Sequence, residues 1–241
     1  MNRDAPVALV TGGAVRVGRA TVERLAQAGW QVAFTYHSSA AAARELEKRL
    51  AGQASSFHVA LHEHAGRSAL VAKVSDRFGR LDALVNNAAV FPRTPLAEVT
   101  QQGLRDVMAV NLEAPLFLTL ACAPLLRSAQ GAVVNIVDIY ARFPLRNYLP
   151  YSVSKAALVA VTRALAVELA PDVRVNAVAP GVAMFPEDYD PETRRRLLDR
   201  TLLKREGGAE EIAAAVHHLI AGTHTTTGQV LTIDGGRTLA L

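Results

Sequence analysis

Short runs of apolar and β-branched residues alternate with longer segments of helical period along the whole chain. The apolar runs predict seven β-strands, at residues 7–10, 31–36, 55–60, 83–86, 132–137, 173–178 and 229–233. Between them, apolar positions at helical spacing predict helices at residues 17–28, 40–50, 66–78, 112–126, 152–169 and 209–221. Alternating strands and helices are typical of a parallel sheet covered on both faces. We therefore expect an α/β fold with a doubly wound, seven-stranded parallel sheet.

The sequence shows no division into domains. No Ser/Gly-rich or charged linker and no internal repeat interrupts the 241 residues. The composition, 50% hydrophobic and 20% charged, is ordinary for a globular protein and excludes a disordered chain. We predict one domain over residues 1–241. Within it, Pro186, Asp188, Asp190 and Pro191 break the pattern, and we expect residues 184–203 to form a helix-rich insertion that acts as a flap over a substrate.

The formal net charge of +4 allows an anionic ligand or partner. Basic residues are scattered singly except at Arg194, Arg195 and Arg196, and none are interleaved with aromatic residues, so we expect no nucleic-acid partner. The single cysteine, Cys122, lies in an apolar stretch and is typical of a core residue in a reducing compartment. The N-terminus lacks a secretory-signal pattern, and the apolar runs are shorter than a membrane span. We expect a cytoplasmic protein with no membrane partner.

A glycine-rich turn joins the first predicted strand to the first predicted helix. Its candidate cofactor-binding residues are Gly12, Arg16, Val17 and Gly18. Glycines let the backbone approach a pyrophosphate, whose charge is stabilised by the N-terminus of the following helix. A glycine pattern alone also fits a purely structural turn, but its strand-to-helix context favours a Rossmann-type dinucleotide site.

The end of the second predicted strand indicates which dinucleotide binds. An NAD site usually offers a carboxylate to the ribose 2′-hydroxyl at this point. Here the first acidic residue after the second predicted strand is Glu45, nine residues beyond its end at Tyr36. The residues present instead are candidate cofactor contacts: Tyr36, His37, Ser38 and Ser39. The missing acid, the serine hydroxyls and Arg16 suit the 2′-phosphate of NADP, although Arg16 also fits a surface salt bridge.

Tyr151 and Lys155 are one helical turn apart at the start of an Ala-rich predicted helix. A nearby ammonium favours the phenolate, so we expect Lys155 to lower the pKa of Tyr151 towards working pH, where proton transfer is efficient. This spacing is common by chance and alone also fits two surface residues. Its weight comes from the motifs around it.

These motifs follow one another in the order of a known family. They are the glycine turn, Asn86-Asn87-Ala88-Ala89, Asn111, Tyr151 with Lys155, Pro180-Gly181, and Asp234-Gly235-Gly236. Together they resemble the short-chain dehydrogenase/reductase family over nearly the whole chain, although Ala89 stands where relatives usually have glycine. The resemblance implies that Tyr151 donates a proton, that Lys155 binds the nicotinamide ribose, and that Asn111 supports a water relay. It also implies cofactor contacts at Leu61, Asn87, Ala88, Pro180 and Gly181.

One position departs from the family in a way that bears on the substrate. Asp138 stands 13 residues before Tyr151, where most members have a serine that polarises a carbonyl. An ionised carboxylate accepts hydrogen bonds but cannot donate one to a carbonyl oxygen. A substrate with N–H donors suits it better. Asp138 at this position resembles the pteridine reductase branch, which reduces the pyrazine ring of pterins and folates.

Three further features resemble that branch: Arg16 before the last glycine of the turn, the Tyr36-His37 pair, and Phe91, which would stack on a pterin. The branch implies four substrate-binding residues, namely Arg16, Phe91, Asp138 and Tyr151. Phe91 also fits an ordinary loop anchor beside Pro92. Two departures concern the cofactor, since Ser38 replaces an arginine and Ala60-Leu61 replaces an aspartate that meets the adenine.

These features predict an NADPH-dependent pteridine reductase with catalytic residues Asn111, Asp138, Tyr151 and Lys155. The alternatives are a carbonyl or 3-oxoacyl reductase of the same family and a weakly catalytic NADPH-binding protein. The intact catalytic motif argues against the latter.

Two further expectations concern metal binding and assembly. His58, His62 and His64 are closely spaced, but no cysteine joins them, and we expect no metal. The predicted helices at 112–126 and 152–169 are apolar around more than one face. Burial against other subunits would account for this, and relatives are commonly tetramers, so we expect a homotetramer.

Overall fold

The computed structural model describes residues 5–181 and 190–240. Its strands are β1 (Val7–Val10), β2 (Gln31–Tyr36), β3 (Ala54–His58), β4 (Ala83–Asn86), β5 (Ala132–Ile136), β6 (Arg174–Pro180) and β7 (Val230–Ile233). They form one seven-stranded parallel sheet in the order β3-β2-β1-β4-β5-β6-β7. The predicted doubly wound, Rossmann-type sheet is confirmed. Its strand order reverses between β1 and β4, and this reversal creates a crevice at the carboxyl ends of the strands.

The helices are α1 (Arg16–Gln27), α2 (Ala40–Arg49), α3 (His64–Phe78), α4 (Gln101–Met108), α5 (Ala114–Ser128), α6 (Leu149–Glu168), α7 (Pro191–Leu198) and α8 (Gly208–Ala221). A π-helical segment, Ala109–Glu113, joins α4 to α5, so the helix predicted at 112–126 in fact begins at Gln101. Thr100 caps it, because its Oγ1 accepts a hydrogen bond from the Gly103 N–H at 3.0 Å. The helix predicted to begin at residue 152 begins at Leu149, which places Tyr151 in the first turn of α6.

The two faces of the sheet pack into separate apolar cores. Along β1, Ala8 and Val10 face the core shared with α1, α2 and α8, whereas Val7 and Leu9 face the core shared with α3, α5 and α6. This alternation follows from the two-residue period of a strand. Cys122 lies in the second core, where burial raises the pKa of its thiol to about 12. The cysteine is an unreactive core residue, as the sequence indicated.

A buried chain of polar side chains fixes β4 beside β5 below the crevice. Asn86 Nδ2 donates hydrogen bonds to Asn135 Oδ1 (2.8 Å) and Thr119 Oγ1 (3.2 Å). Asn135 Nδ2 in turn donates to Thr162 Oγ1 at 2.9 Å, so the chain joins both strands to α5 and α6. Because a buried polar group left without a partner costs about 1–3 kcal/mol, these bonds hold the strand ends in one register.

One helical stretch of the described residues, 101–128, is long and apolar enough to cross a membrane by length and composition. Core helices of soluble proteins meet the same criteria. Here Leu118, Cys122 and Leu126 on its inner side are buried in the core between the sheet and α3 and α6. Packing against the sheet accounts for the apolar character of this side.

Candidate active site

A cleft of about 680 Å³ follows the carboxyl ends of the strands across the crevice between β1 and β4. It brings together most of the residues that the sequence predicted. Those that line it are Gly12, Arg16, Val17, Gly18, Tyr36, His37, Ser38, Leu61, Asn87, Ala88, Phe91, Asp138, Tyr151, Lys155, Pro180 and Gly181. Ser39 and Asn111 do not line it. Motifs that are far apart along the chain therefore meet at one site.

Thr11 holds the glycine turn against the end of β4. Its Oγ1 accepts hydrogen bonds from the backbone N–H groups of Asn87 (2.9 Å) and Ala88 (3.0 Å). Gly12 has a φ of +64°, which favours glycine, and a Cβ at Gly18 would collide with the Gly12 carbonyl oxygen. The turn therefore needs both glycines. At these two positions the cleft is lined by backbone atoms without a side chain.

The N-terminus of α1 fits a dinucleotide phosphate. Its N-cap residue, Val15, offers no side-chain acceptor to the first-turn N–H groups, which carry the positive end of the helix dipole. Arg16 lines the cleft beside them and has a φ of +52°, a left-handed conformation that costs a non-glycine residue about 1–2 kcal/mol. These features, with the bare backbone at Gly12 and Gly18, suit the diphosphate of a nicotinamide dinucleotide.

The end of the cleft beside β2 carries no carboxylate among its lining residues. Glu45, the first acidic residue after β2, instead forms an ion pair with Arg19 at 2.9 Å. The segment after β3 is fixed by Arg67 of α3, whose Nη1 donates a 2.7 Å hydrogen bond to the carbonyl oxygen of Leu61. This end of the cleft is therefore polar and free of acid groups.

The acid and base groups lie where β5 and α6 meet. The Tyr151 hydroxyl donates a 2.7 Å hydrogen bond to Asp138 Oδ2, and the Tyr140 N–H donates to Asp138 Oδ1 at 2.8 Å. Asp138 is the N-cap of the 3₁₀ segment Ile139–Ala141, so backbone structure fixes its carboxylate. Lys155 Nζ donates to the carbonyl oxygen of Ile136 at 2.8 Å and lies 5.7 Å from the centre of the Tyr151 ring.

Burial controls the ionisation of these groups. It raises the pKa of Tyr151 well above its ordinary value, and the Asp138 carboxylate raises it further. Burial also raises the pKa of Asp138, despite the lowering effects of its hydrogen bonds and of Lys155. The pKa of Lys155 falls to about 8 because its ammonium is buried. The expectation that Lys155 lowers the pKa of Tyr151 is therefore wrong: Nζ is directed to Ile136, and the phenol faces a carboxylate. Tyr151 is held in its protonated form.

Asn111 lies in the π-helical segment and is fully buried. Its Oδ1 accepts a hydrogen bond from the Val90 N–H (2.8 Å), and its Nδ2 donates to the Val90 carbonyl (3.0 Å) and to Ser154 Oγ (3.1 Å). These bonds engage the amide and fix the loop that carries Phe91. The side chain is a positioning residue in this structure, and the predicted water relay stays a prediction.

Phe91 forms part of an aromatic wall of the cleft. Its ring stacks on Tyr148, with centres 4.3 Å apart and planes inclined by 14°, and meets the Tyr151 ring edge-on at 4.5 Å. The Thr94 N–H ties the two loops together by donating to the Asn147 carbonyl oxygen at 2.6 Å. Tyr148 does not itself line the cleft, and its part is to support the Phe91 ring by stacking.

Other residues that the sequence did not assign to the site also line the cleft: Tyr140, Leu145, His62 and Leu197. Leu197 belongs to α7, which agrees with the helical character expected for the predicted flap. Residues 184–189 of that flap lie outside the described residues, and its closure stays a prediction. Within residues 5–181 and 190–240, no group of three or more His, Cys, Asp or Glu side chains is placed to hold a metal ion.

A cleft that suits a dinucleotide at one end and holds a buried proton donor at the other fits hydride transfer from a nicotinamide. The class is therefore a Rossmann-type oxidoreductase that uses NAD(P)H. Comparison with known proteins agrees, because a family model described as enoyl-(acyl carrier protein) reductase matches residues 13–238. The chain belongs to the short-chain dehydrogenase/reductase family.

Similar proteins differ in what their names say they act on. The chain is 37% identical over 243 residues to "Granaticin polyketide synthase putative ketoacyl reductase 2" of Streptomyces violaceoruber, with 97% of this chain and 96% of the relative covered. It is 34% identical to pteridine reductase 1 of Leishmania tarentolae, with 98% and 97% covered. It is 31% identical to the dihydromonapterin reductase of Enterobacter sp. (strain 638), with 96% of each covered. Similarity alone therefore does not decide whether the substrate is a ketone or a pteridine, and the residues of the site have to decide it.

Proposed function

We propose that the protein is an NADPH-dependent reductase of pteridines, which adds a hydride and a proton to one double bond of a pterin or folate ring. The observation that carries this proposal is the 2.7 Å hydrogen bond from the Tyr151 hydroxyl to Asp138. It places a carboxylate beside the proton donor, at the position where a ketone reductase needs a hydroxyl donor.

A carboxylate at this point favours a substrate that donates hydrogen bonds. When ionised it only accepts, so it cannot polarise a ketone oxygen. The amino and ring N–H groups of a pterin are matching donors. Each Asp138 oxygen accepts one hydrogen bond from the protein, from Tyr140 or Tyr151, and each has a second lone pair available for the substrate.

The aromatic wall supports a flat, conjugated substrate. Phe91 is 46% exposed although it stacks on Tyr148, so part of its ring is accessible. Stacking of an aromatic pair contributes about 0.5–1.5 kcal/mol beyond area burial. The similarity to a pteridine reductase and a dihydromonapterin reductase also supports this substrate class.

NADPH, when bound, supplies the hydride. Tyr151 donates its proton to the substrate, and Asp138, in contact with the same hydroxyl, holds the pterin and shares in the proton relay. Lys155 binds the nicotinamide ribose, and Asn111 positions the loop that carries Phe91. Arg16 faces both the cofactor phosphates and the substrate.

The end of the cleft beside β2 supports NADPH over NADH. A carboxylate there would repel a 2′-phosphate, and none of the lining residues at this end carries one. Arg16 and Ser38 line the cleft and offer a cation and a hydroxyl to a phosphate. Ser39 follows Ser38 at the start of α2 and completes the proposed cofactor contacts.

A carbonyl or 3-oxoacyl reductase is the second candidate, because burial raises the pKa of Asp138. A protonated carboxyl carries an O–H donor, which would take the place of the usual serine hydroxyl on a carbonyl oxygen. The similarity to the granaticin polyketide synthase relative supports this candidate.

The test is NADPH oxidation, followed by nicotinamide absorbance, with dihydrobiopterin, dihydrofolate and a simple 3-oxoester supplied separately. We expect oxidation with a pterin or folate and little with the oxoester. Oxidation by the oxoester alone would assign the chain to the carbonyl reductases. Tyr151→Phe is the matched control, because it removes one hydroxyl and leaves the ring in place.

We also propose that the protein works as a cytoplasmic homotetramer. Five large apolar side chains of α5 and α6 are exposed: Phe117, Leu120, Leu149, Val153 and Val167. Their burial against other subunits would explain an apolar surface on two adjacent helices. Light scattering should give four times the 25.7 kDa chain mass, and a monomer would contradict the proposal.

A further inference from the structure

Three imidazole rings meet beyond the ends of β2 and β3. The rings of His37 and His58 are stacked with their centres 5.8 Å apart, and the ring of His62 meets that of His37 edge-on at 6.5 Å. The parallel register brings them together, since Tyr36 at the end of β2 pairs with His58 at the end of β3. His37 and His62 line the cleft and are exposed. Although His62 lines the cleft, the proposed function gives it no role.

This cluster lies where a Rossmann fold distinguishes the two nicotinamide dinucleotides, at the end of the second strand. The lining residues there include no carboxylate, and Glu45 is paired with Arg19. A phosphate bound here would therefore be close to imidazole N–H donors and to no carboxylate that lines the cleft. When protonated, both nitrogens of an imidazole are donors and the ring is a cation.

We propose that His62, together with His37, binds the 2′-phosphate of NADPH as an imidazolium and makes the preference for NADPH over NADH depend on pH. This inference rests on the proposed use of NADPH. Ser38 stands where many pteridine reductases have an arginine. We assign the phosphate contact of that arginine to His62, which lies between β3 and α3. Unlike arginine, histidine changes its charge between about pH 5 and 8.

The charged and titratable groups around the pair come from the ends of β2 and β3, the segment before α3, and the starts of α1 and α3. They are Tyr36, His58, Glu63, His64, Arg16 and Arg67, whose Nη1 donates to the carbonyl oxygen of Leu61, next to His62. Glu63 lies 3.8 Å from His62 Nε2, and its side chain is 62% exposed. Its exposure to solvent weakens its competition with a phosphate for the imidazolium. Arg16 supplies a second cation, and arginine is not deprotonated in proteins, so part of the NADPH preference persists at high pH.

The sign of the pH effect separates the histidines from the ligand. A phosphate monoester loses its second proton near pH 6, so raising the pH makes the 2′-phosphate more negative and strengthens its attraction to Arg16. Loss of the imidazolium charge acts in the opposite direction. A preference that weakens as the pH rises therefore reports the histidines.

The experiment is calorimetric titration of the protein with adenosine 2′,5′-bisphosphate and with 5′-AMP at about pH 6.5, where an ordinary histidine is about half protonated, and at about pH 8.5, where it is neutral. In the wild type, the ratio of the two affinities should fall about tenfold or more between these pH values, as expected for the loss of a charge-assisted hydrogen bond. In His62→Gln, the ratio at the lower pH should fall part of the way to the wild-type value at the higher pH, because His37 alone is left to respond to pH. His64→Gln, which changes a neighbouring histidine that does not line the cleft, is the matched control and should behave as wild type.

Three results would overturn the inference. One is a wild-type ratio that does not fall with pH, and another is a His62→Gln ratio that matches the wild type at both pH values. The third is equal affinity for the two nucleotides at every pH, which would also remove the proposed NADPH preference. Pterin-dependent oxidation of NADPH with a pH-independent preference would overturn the role of His62 and leave the proposed function standing. Thermal melting of each variant checks that its fold is intact.

Discussion

The two ends of the cleft are built in opposite ways. At the chemical end, Tyr151 and Lys155 are buried. Hydrogen bonds of 2.7–2.8 Å fix the polar atoms of Tyr151, Lys155 and Asp138. At the adenosine end, His37, Ser38 and His62 are exposed and lie in the segments that follow β2 and β3. The fold therefore determines the geometry of the chemical end, whereas the cofactor preference that we propose depends on surface side chains that can change without affecting the core.

The largest expected effect is at the chemical end. Tyr151→Phe should lower turnover by about 10²–10⁴-fold, because it removes the general acid. NADPH binding should persist, since the ring still fills its place and the adenosine end is untouched. Steady-state assays and fluorescence titration measure the two quantities. Turnover within a few-fold of the wild type would remove Tyr151 from the chemistry.

The second prediction concerns the pH dependence of the rate. Lys155, also at the chemical end, has a pKa that burial lowers to about 8. The ammonium, which we propose binds the nicotinamide ribose, is present below that pH and is lost above it, so the rate should fall on the alkaline side. One unit above the pKa, the charged fraction and hence the rate should be lower by about tenfold. In Lys155→Arg, the guanidinium stays charged, and the alkaline fall should move to higher pH. An alkaline limb that is identical in the two proteins would point to another group.

At the adenosine end, Ser38→Asp should exchange cofactor preference with little effect on the fold. A carboxylate there repels the 2′-phosphate and accepts a hydrogen bond from the ribose hydroxyl of NADH. We expect the ratio of kcat/KM for NADPH to that for NADH to fall by about tenfold or more. Because Ser38 is exposed, the melting temperature should change little. An unchanged ratio would mean that the end of β2 does not contact the ribose.

The smallest effect expected in this comparison is on stability. Ser38→Asp should change the free energy of unfolding by no more than about 0.5 kcal/mol, as is usual for an exposed position. Tyr151→Phe leaves Asp138 Oδ2 without its donor and should cost about 1–3 kcal/mol. Denaturant titration of both variants measures the contrast. Equal losses would contradict the view that only one end is coupled to the core.

Most of the fold could be predicted from the hydrophobic pattern. The bounds of β1, β2 and β4 agree with the sequence prediction, because strands buried on both faces are continuous apolar runs. The pattern missed α4 because this helix has only eight residues, fewer than the roughly 11–18 residues over which a helical period is usually recognised. It also placed the start of α6 late, because Leu149 and Pro150 open the helix from a loop without a side-chain cap.

The site was predictable where a residue type is tied to a local backbone feature, as at Gly12 and Gly18. It was less predictable where the environment decides. The pKa of Tyr151 is raised by burial and by a carboxylate from another strand end, and no spacing within α6 reveals either. The same holds for His62, which lines the cleft, and for the stacking of Tyr148 on Phe91, because both depend on contacts between segments that are distant in sequence.

The most direct test of the central claim, that the Asp138 carboxylate selects the substrate, is kcat/KM of wild type and Asp138→Ser for dihydrobiopterin and a 3-oxoester. We predict that the wild type favours the pterin and that Asp138→Ser loses about tenfold or more on it, because a hydroxyl is a weaker acceptor for N–H donors than a carboxylate. The same variant should gain activity on the oxoester, because serine restores a donor to the carbonyl oxygen. Unchanged pterin kinetics in Asp138→Ser would contradict the claim.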